Sequence, residues 1–289
     1  MILVCQVHPN LSSTLVIKMR CIFCKEDSTN SKSVEHIIPE SLGCKKHILP
    51  VGIVCDKCNN YFARKIEKPF MDEYSITHLR FAEGIENKKG TIPSISGILN
   101  YQHPVKLSKD IHSNFAGHVD VPSLALDSII SAEKSTIIFP MLTDNYFLKV
   151  GPIVSRFVGK IAIEAFAQRI LESSYNDSLD LFIDDVQFDP LRNHVRRGIQ
   201  KDWNCNVRRI YEVNKQWIDT ETHERYQVIN EYDFLYTDIM ELYFILAIFG
   251  MEYTINLGGS CVEGYKNWLK TYHNESPLYN KNNSSNHHA

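Results

Sequence analysis

The sequence predicts an α+β chain in which a small N-terminal module stapled by four cysteines precedes a larger mixed α+β domain of unrecognised type. Three observations carry this reading. Cys21-Ile-Phe-Cys24 and Cys55-Asp-Lys-Cys58 form two Cys-x-x-Cys knuckles separated by 30 residues. Beyond Gly151-Pro152, apolar residues recur at the spacing of a helix face. Further on, Met251, Tyr253, Ile255 and Leu257 alternate with Glu252, Thr254 and Asn256, the period of a strand.

Residues 1–18 read as an extension ahead of the folded module. Ile2 to Ile17 is mildly apolar but lacks a basic start and a small-residue cleavage site, so it is not expected to be a signal peptide. No run reaches membrane-spanning length, and 44% hydrophobic with 22% charged residues matches ordinary soluble chains. A cytoplasmic protein with no membrane partner is expected. Thiols stay reduced there, which disfavours pairing the knuckles as disulfides. Cys21, Cys24, Cys55 and Cys58 are instead expected to place four thiolates on one structural Zn²⁺, closed and tetrahedral.

The module is expected to span 19–85. Between the knuckles, Leu42-Gly43 signals a turn, leaving room for a hairpin or compact loop that carries Glu35 and His36. A helix opening at Cys58 and running through Glu67 places Phe62 and Ile66 at i,i+4 spacing and ends near Pro69. Asn59 then lies in its first turn, where free backbone N–H groups favour a phosphate.

Glu35-His36-Ile37-Ile38-Pro39-Glu40-Ser41-Leu42-Gly43, set between the two knuckles and followed by Asn59 and Asn60, resembles the ββα-metal core of zinc-containing HNH endonucleases. The resemblance covers about residues 19 to 70. It implies that His36 acts as general base while Glu35 and Asn59 hold one divalent ion on the scissile phosphate. The chemistry of these side chains agrees. An imidazole with an ordinary pKa of about 6.5 accepts a proton near neutral pH. Hard oxygen donors suit Mg²⁺ or Mn²⁺, and such an ion stabilises charge on the phosphate and the departing oxygen. Two departures from the family pattern stand out: Glu35 replaces the Asp of many relatives, and Leu49-Pro50-Val51-Gly52 occupies the stretch where a middle Asn braces the hairpin. Asn60 and Glu67 are further oxygen donors, although a glutamate on a helix surface is more often solvated.

The stretch 86–104, with Lys88-Lys89-Gly90, Pro93, Gly97 and Pro104, reads as a boundary, and 105–273 as a recognition, regulatory or oligomerisation domain. Ile153, Phe157, Ile161 and Ala165 form one stripe of its amphipathic helix, with Arg156, Lys160, Glu164 and Gln168 on the opposite face. Val207 to Val213 and Tyr226 to Asp233 read as strands, and Leu242 to Phe249 as a buried strand or helix. Asn274 to Ala289, rich in Asn and Ser, reads as a disordered tail.

Net charge is −3, but it is unevenly spread: Lys18 to Lys68 holds ten Lys or Arg against six Asp or Glu, while residues 91–289 hold 18 against 24. Phosphate contact is therefore expected at the nuclease-like end. A second basic cluster around Arg192, His194, Arg196, Arg197, Lys201 and Trp203 reads as a solvated face, because Asp184, Asp185, Asp189 and Asp202 lie close by. The remaining histidines, among them His47, His78 and His112, read as structural or exposed.

The expected protein is thus an HNH endonuclease hydrolysing phosphodiester bonds in DNA, leaving 5′ phosphate and 3′ hydroxyl ends. Its architecture is analogous to nucleases of bacterial defence against phage. Two alternatives stay open on the sequence: a ribonuclease, since the core chemistry does not read the 2′-OH, and a zinc-knuckle nucleic-acid or protein-binding module in which Glu35-His36 is idle. A homodimer would suit paired cuts on two strands, and a regulatory protein or ligand would find its place on the C-terminal domain.

Overall fold

The computed structural model describes residues 18–44, 46–109, 117–140, 151–173, 178–198, 203–219 and 221–280. Residues 1–17, His112, Lys201, Asp202 and 281–289, on which parts of the expectations above fall, lie outside the described residues. The fold is α+β, as expected.

The N-terminal module opens on the first knuckle. A two-stranded ribbon follows, β1 (Glu35–His36) paired antiparallel with β2 (Ile48–Leu49), Glu35 opposite Leu49 and His36 opposite Ile48. A 3₁₀ turn, Glu40–Leu42, closes the loop between them and ends at Gly43, whose φ of 83° lets its N–H reach the Glu40 carbonyl. Cys55 then caps α1 (Asp56–Phe62), accepting from the Cys58 N–H.

The helix does not stop near Pro69. It continues through a π-helical segment, Ala63–Glu67, into α2 (Lys68–Met71), with Pro69 inside α2. Proline withdraws a backbone donor and crowds the preceding turn. The widened π turn directly before it absorbs that insult, so the chain turns only at α3 (Tyr74–Ala82). Phe62 and Ile66 are buried, as their spacing predicts.

The stretch 86–104 is more than a boundary. It holds β3 (Ile95–Leu99) and the start of β4 (His103–Ser108), which pair antiparallel. With β5 (His118–Asp120), α4 (Ser123–Ile130) and β6 (Ile137–Ile138) they form a sheet of order β5-β4-β3-β6 over a small core of Leu99, Val105 and Ala125.

α5 (Pro152–Glu172) is the axis of the molecule. Around it stand α6 (Ser178–Asp184), α7 (Asp189–Arg197) and a second antiparallel sheet of order β10-β11-β12-β7. That sheet comprises β7 (Asn206–Arg209), β10 (Asn230–Tyr236), β11 (Leu242–Ile248) and β12 (Met251–Asn256), with the small ribbon β8 (Trp217–Ile218) and β9 (Arg225–Tyr226) beside it in sequence. The apolar run from Leu242 is therefore a strand. Phe249 and Gly250, at φ 50° and 74°, make the two-residue hairpin loop to β12. A Cβ on Gly250 would lie 2.1 Å from the Tyr211 carbonyl oxygen. The strand expected from Tyr226 to Asp233 is split, because Tyr226 belongs to β9 and β10 starts at Asn230. Likewise β7 is shorter than the predicted Val207 to Val213 strand.

Every residue of β12 is buried, including Glu252, Thr254 and Asn256, since α8 (Glu263–Thr271) and residues 274–280 cover the face that alternation assigned to solvent. The tail expected from Asn274 is ordered as far as 280: Ser276 Oγ donates to Glu252 Oε2 at 2.5 Å, and the Tyr279 hydroxyl donates to Glu231.

The hydrophobic core runs unbroken from the knuckles into the second half. Phe70 of α2 stacks on Phe157 of α5, ring centroids 3.8 Å apart, and Ile22, Phe62, Ile161 and Ile255 share the same cluster.

Candidate active site and metal centre

Cys21, Cys24, Cys55 and Cys58 converge, all four Sγ atoms within 4.8 Å of one another. Cys24 and Cys55 Sγ are 3.6 Å apart, close to the edge of about 3.8 Å that a tetrahedron of Zn–S bonds near 2.3 Å requires. Two backbone donors support the sulfurs, Cys55 N–H on Cys21 Sγ at 3.3 Å and Cys58 N–H on Cys55 Sγ at 3.5 Å. Crowding splits the thiols: hydrogen bonding with Cys21 holds Cys24 far below the ordinary range, while its bond with Cys24 pushes Cys21 to about 12 and Cys58 is driven up further. A divalent ion relieves such competition by accepting all four as thiolates. The donor set fits Zn²⁺ and leaves no open position for chemistry.

β1 lies between the two knuckles in sequence. Its two side chains leave on opposite sides, as strand geometry demands. His36 faces outward, its side chain 18% exposed, with Nε2 3.3 Å from Glu40 Oε1 on the 3₁₀ turn. Glu35 faces inward at 5% exposure, and its Oε1 lies 2.5 Å from Lys160 Nζ of α5. Asn59, in the first turn of α1, donates its amide N–H to the Val34 carbonyl at 3.3 Å, which docks the helix against the entry to β1 and leaves the amide oxygen as an acceptor. So α1 and β1 are joined beside the predicted residues, but the carboxylate of Glu35 is already engaged by an amine from the other half of the chain.

That amine was invisible to periodicity. Lys160 and Glu164, expected on the solvent face of α5, are both completely buried. Lys160 Nζ also meets Glu67 Oε1 at 2.7 Å and Glu164 Oε2 at 3.0 Å, and it donates to the His36 carbonyl at 3.2 Å. Glu67 is thus an interior partner rather than a solvated residue. Burial pushes the Glu164 carboxyl well up and the Glu35 carboxyl up, against the opposing pull of Lys160 on each.

The other residues of the same stripe also face inward. Arg156 donates to the Tyr61 hydroxyl at 2.6 Å and to the Val195 carbonyl, and Gln168 accepts from the Tyr232 hydroxyl at 2.8 Å. Tyr232 further meets His47 Nδ1 at 3.2 Å, while the His47 carbonyl accepts from Ile37 N–H across the hairpin. This gives the hairpin a brace from the second half of the chain where the middle Asn is missing.

The second basic cluster divides: Arg197 is exposed, as a solvated face requires, whereas Arg192, His194 and Trp203 are buried. Arg192 is buried and donates to the Ile22 and Phe182 carbonyls and to Asp189; His194 meets Ser155 Oγ at 2.9 Å; Trp203 donates to the Asn256 carbonyl. The charge of Arg192 is used in clamping the first knuckle onto α6 and α7, as are those of Arg20 on Asp184 and Lys25 on Asp189.

Residues 21–75 match the family model described as HNH endonuclease. The matched segment contains both knuckles, the acid-histidine strand and α1, so the protein carries an HNH endonuclease domain with a four-cysteine cluster at metal-binding distance. No curated protein and no solved structure matches the chain. No helix among the described residues is long and apolar enough to cross a membrane.

Proposed function

We propose that the protein is a metal-dependent endonuclease that hydrolyses phosphodiester bonds, with DNA as substrate, and that Zn²⁺ on the four cysteines holds the site in shape. The observation that carries the reading is the docking of α1 on β1 through Asn59 and Val34 within the segment that matches the HNH family. His36 is the general base: it is the side chain of β1 that faces outward, and it takes the proton of the attacking water. Glu40 Oε1, 3.3 Å from Nε2, places a negative charge beside the imidazole and so favours the imidazolium formed when that proton is taken.

Glu35 and Asn59 are the oxygen donors for Mg²⁺ or Mn²⁺. They fit in donor chemistry, and Glu35 would have to exchange its contact with Lys160 for the ion. When bound, such an ion supplies Lewis-acid stabilisation of the phosphate and leaving oxygen. Lys57, Arg64 and Lys65, exposed along α1 and the π segment, offer positive charge to the nucleic-acid backbone.

The test is a plasmid-nicking assay with Mg²⁺, Mn²⁺ or EDTA, run beside labelled RNA. Nicking that needs the ion and spares RNA is the expected result. Cleavage of RNA alone reassigns the substrate, and binding without cleavage under any ion removes the catalytic reading.

A further inference from the structure

Lys160 belongs to the second half of the chain, yet three of the four oxygens around its ammonium lie on the HNH domain: Glu35 Oε1, Glu67 Oε1 and the His36 carbonyl, at 2.5, 2.7 and 3.2 Å. The fourth, Glu164 Oε2 at 3.0 Å, comes from α5 itself. An ammonium has three donors for these four oxygens, so the amine is saturated, and Glu164, whose oxygens have no hydrogen-bond partner, meets it by charge alone. The Lys160 and Glu164 side chains are wholly buried and Glu35 nearly so. Stability alone does not account for such a cluster, because apolar residues of similar volume commonly serve as well or better in a core. What a saturated buried amine does provide is a fixed geometry.

The elements it ties are the ones that carry the proposed chemistry. Glu35 and His36 are the whole of β1, and Glu67 closes the π segment that continues α1, whose first turn holds Asn59. Because Glu35 and His36 leave β1 on opposite sides, holding the inner side and the His36 carbonyl sets where the outer imidazole stands.

We propose that Lys160 is a positioning residue of the nuclease: from α5 it fixes β1 against α1, so that the imidazole of His36 and the amide of Asn59 keep one spacing about the phosphate. The inference rests on the nuclease reading above. It gives the second half of the chain a part in the active site, as the source of the group that completes it from behind.

The experiment uses the full-length, zinc-loaded protein. Lys160→Met is compared with the double variant Lys160→Met/Glu164→Leu, in which two apolar side chains fill the space of the ion pair. Melting temperature, kcat and KM for plasmid nicking, metal-activation midpoint and amide hydrogen exchange over residues 34–38 are measured beside wild type and His36→Ala. The double variant, which leaves Glu35 and Glu67 without the ammonium, is expected to fold with a lowered melting temperature and to keep its KM, to lose kcat by about 100-fold, the cost of a displacement near 1 Å, and to exchange faster over 34–38. Should it not fold, Lys160→Gln, which keeps a donor for the His36 carbonyl, is read by the same assays with the same expected split.

A folded variant with wild-type kcat makes Lys160 a structural residue and overturns the proposal. A higher kcat or a lower metal midpoint also overturns it, because the amine would then be a plug in the ion's place. A wild-type protein that cuts nothing under any ion is a different failure: it removes the nuclease reading, and the positioning role falls with it.

Discussion

At the residue scale, the site divides labour by the side of the strand on which a group sits. His36 faces outward beside Glu40, Glu35 inward onto Lys160, and the four thiols converge on one another within 4.8 Å. The motif types and their spacing were legible in the sequence, because metal knuckles and an acid-histidine pair depend on local order along the chain. The engagement of Glu35 was not, since its partner lies 125 positions away on another element. Two outcomes belong to this scale. Cys58→Ser should lose the metal and unfold the domain, as apparent Zn²⁺ binding energies of roughly 10 to 16 kcal/mol act as folding energy in small metal modules; zinc content and circular dichroism check it. Glu40→Gln should keep zinc and fold while lowering kcat by roughly 10-fold, the lower part of what positioned acid–base groups contribute, with a shifted pH profile as the sign that the imidazole is affected.

At the scale of elements, α5 shows why a helix can be found and its environment still misread. From Phe157 through Ile161 to Ala165 its apolar stripe is core, whereas Ile153 at its start is exposed, and Arg156, Lys160, Glu164 and Gln168 face inward although a polar stripe ordinarily faces solvent. A buried ionic stripe has the same period. Neither sequence spacing nor composition distinguishes the two; only the arrival of β1, Tyr61 and Tyr232 on that side does. Pro69 shows the reverse error, a stop signal overridden by a π turn whose register is set by burying Phe62, Ile66 and Phe70 together. β12 was legible as a strand, while the covering of its polar face by α8 and residues 274–280 depended on distant sequence. The expected consequence at this scale is that Phe157→Ala, which removes the ring stacked on Phe70, costs about 3 to 5 kcal/mol in chemical denaturation. Because that stack joins the two halves, zinc release and global unfolding should fall on one curve; a zinc-bound intermediate with the second half unfolded would argue for independent modules.

At the scale of the molecule, one core connects the four-cysteine clip, the acid-histidine ribbon and the second sheet, so the second half is packed into the N-terminal module rather than tethered to it. Charge follows a similar logic. Arg192, Arg208 and Arg20 are spent on internal partners, while Lys57, Arg64 and Lys65 in the N-terminal module are exposed, where the proposed function puts the phosphate contacts. Arg64→Ala and Lys65→Ala should each weaken DNA binding and flatten the log K against log salt slope by about 1, measured by fluorescence anisotropy across a salt series. An unchanged slope would move the DNA path elsewhere. The most direct test of the whole account is His36→Ala, assayed together for zinc content, melting temperature and Mg²⁺- or Mn²⁺-dependent plasmid nicking. The account predicts wild-type zinc and melting with nicking lost by at least about 100-fold, the lower bound for a general base. Wild-type nicking by a folded, zinc-loaded His36→Ala protein would contradict it.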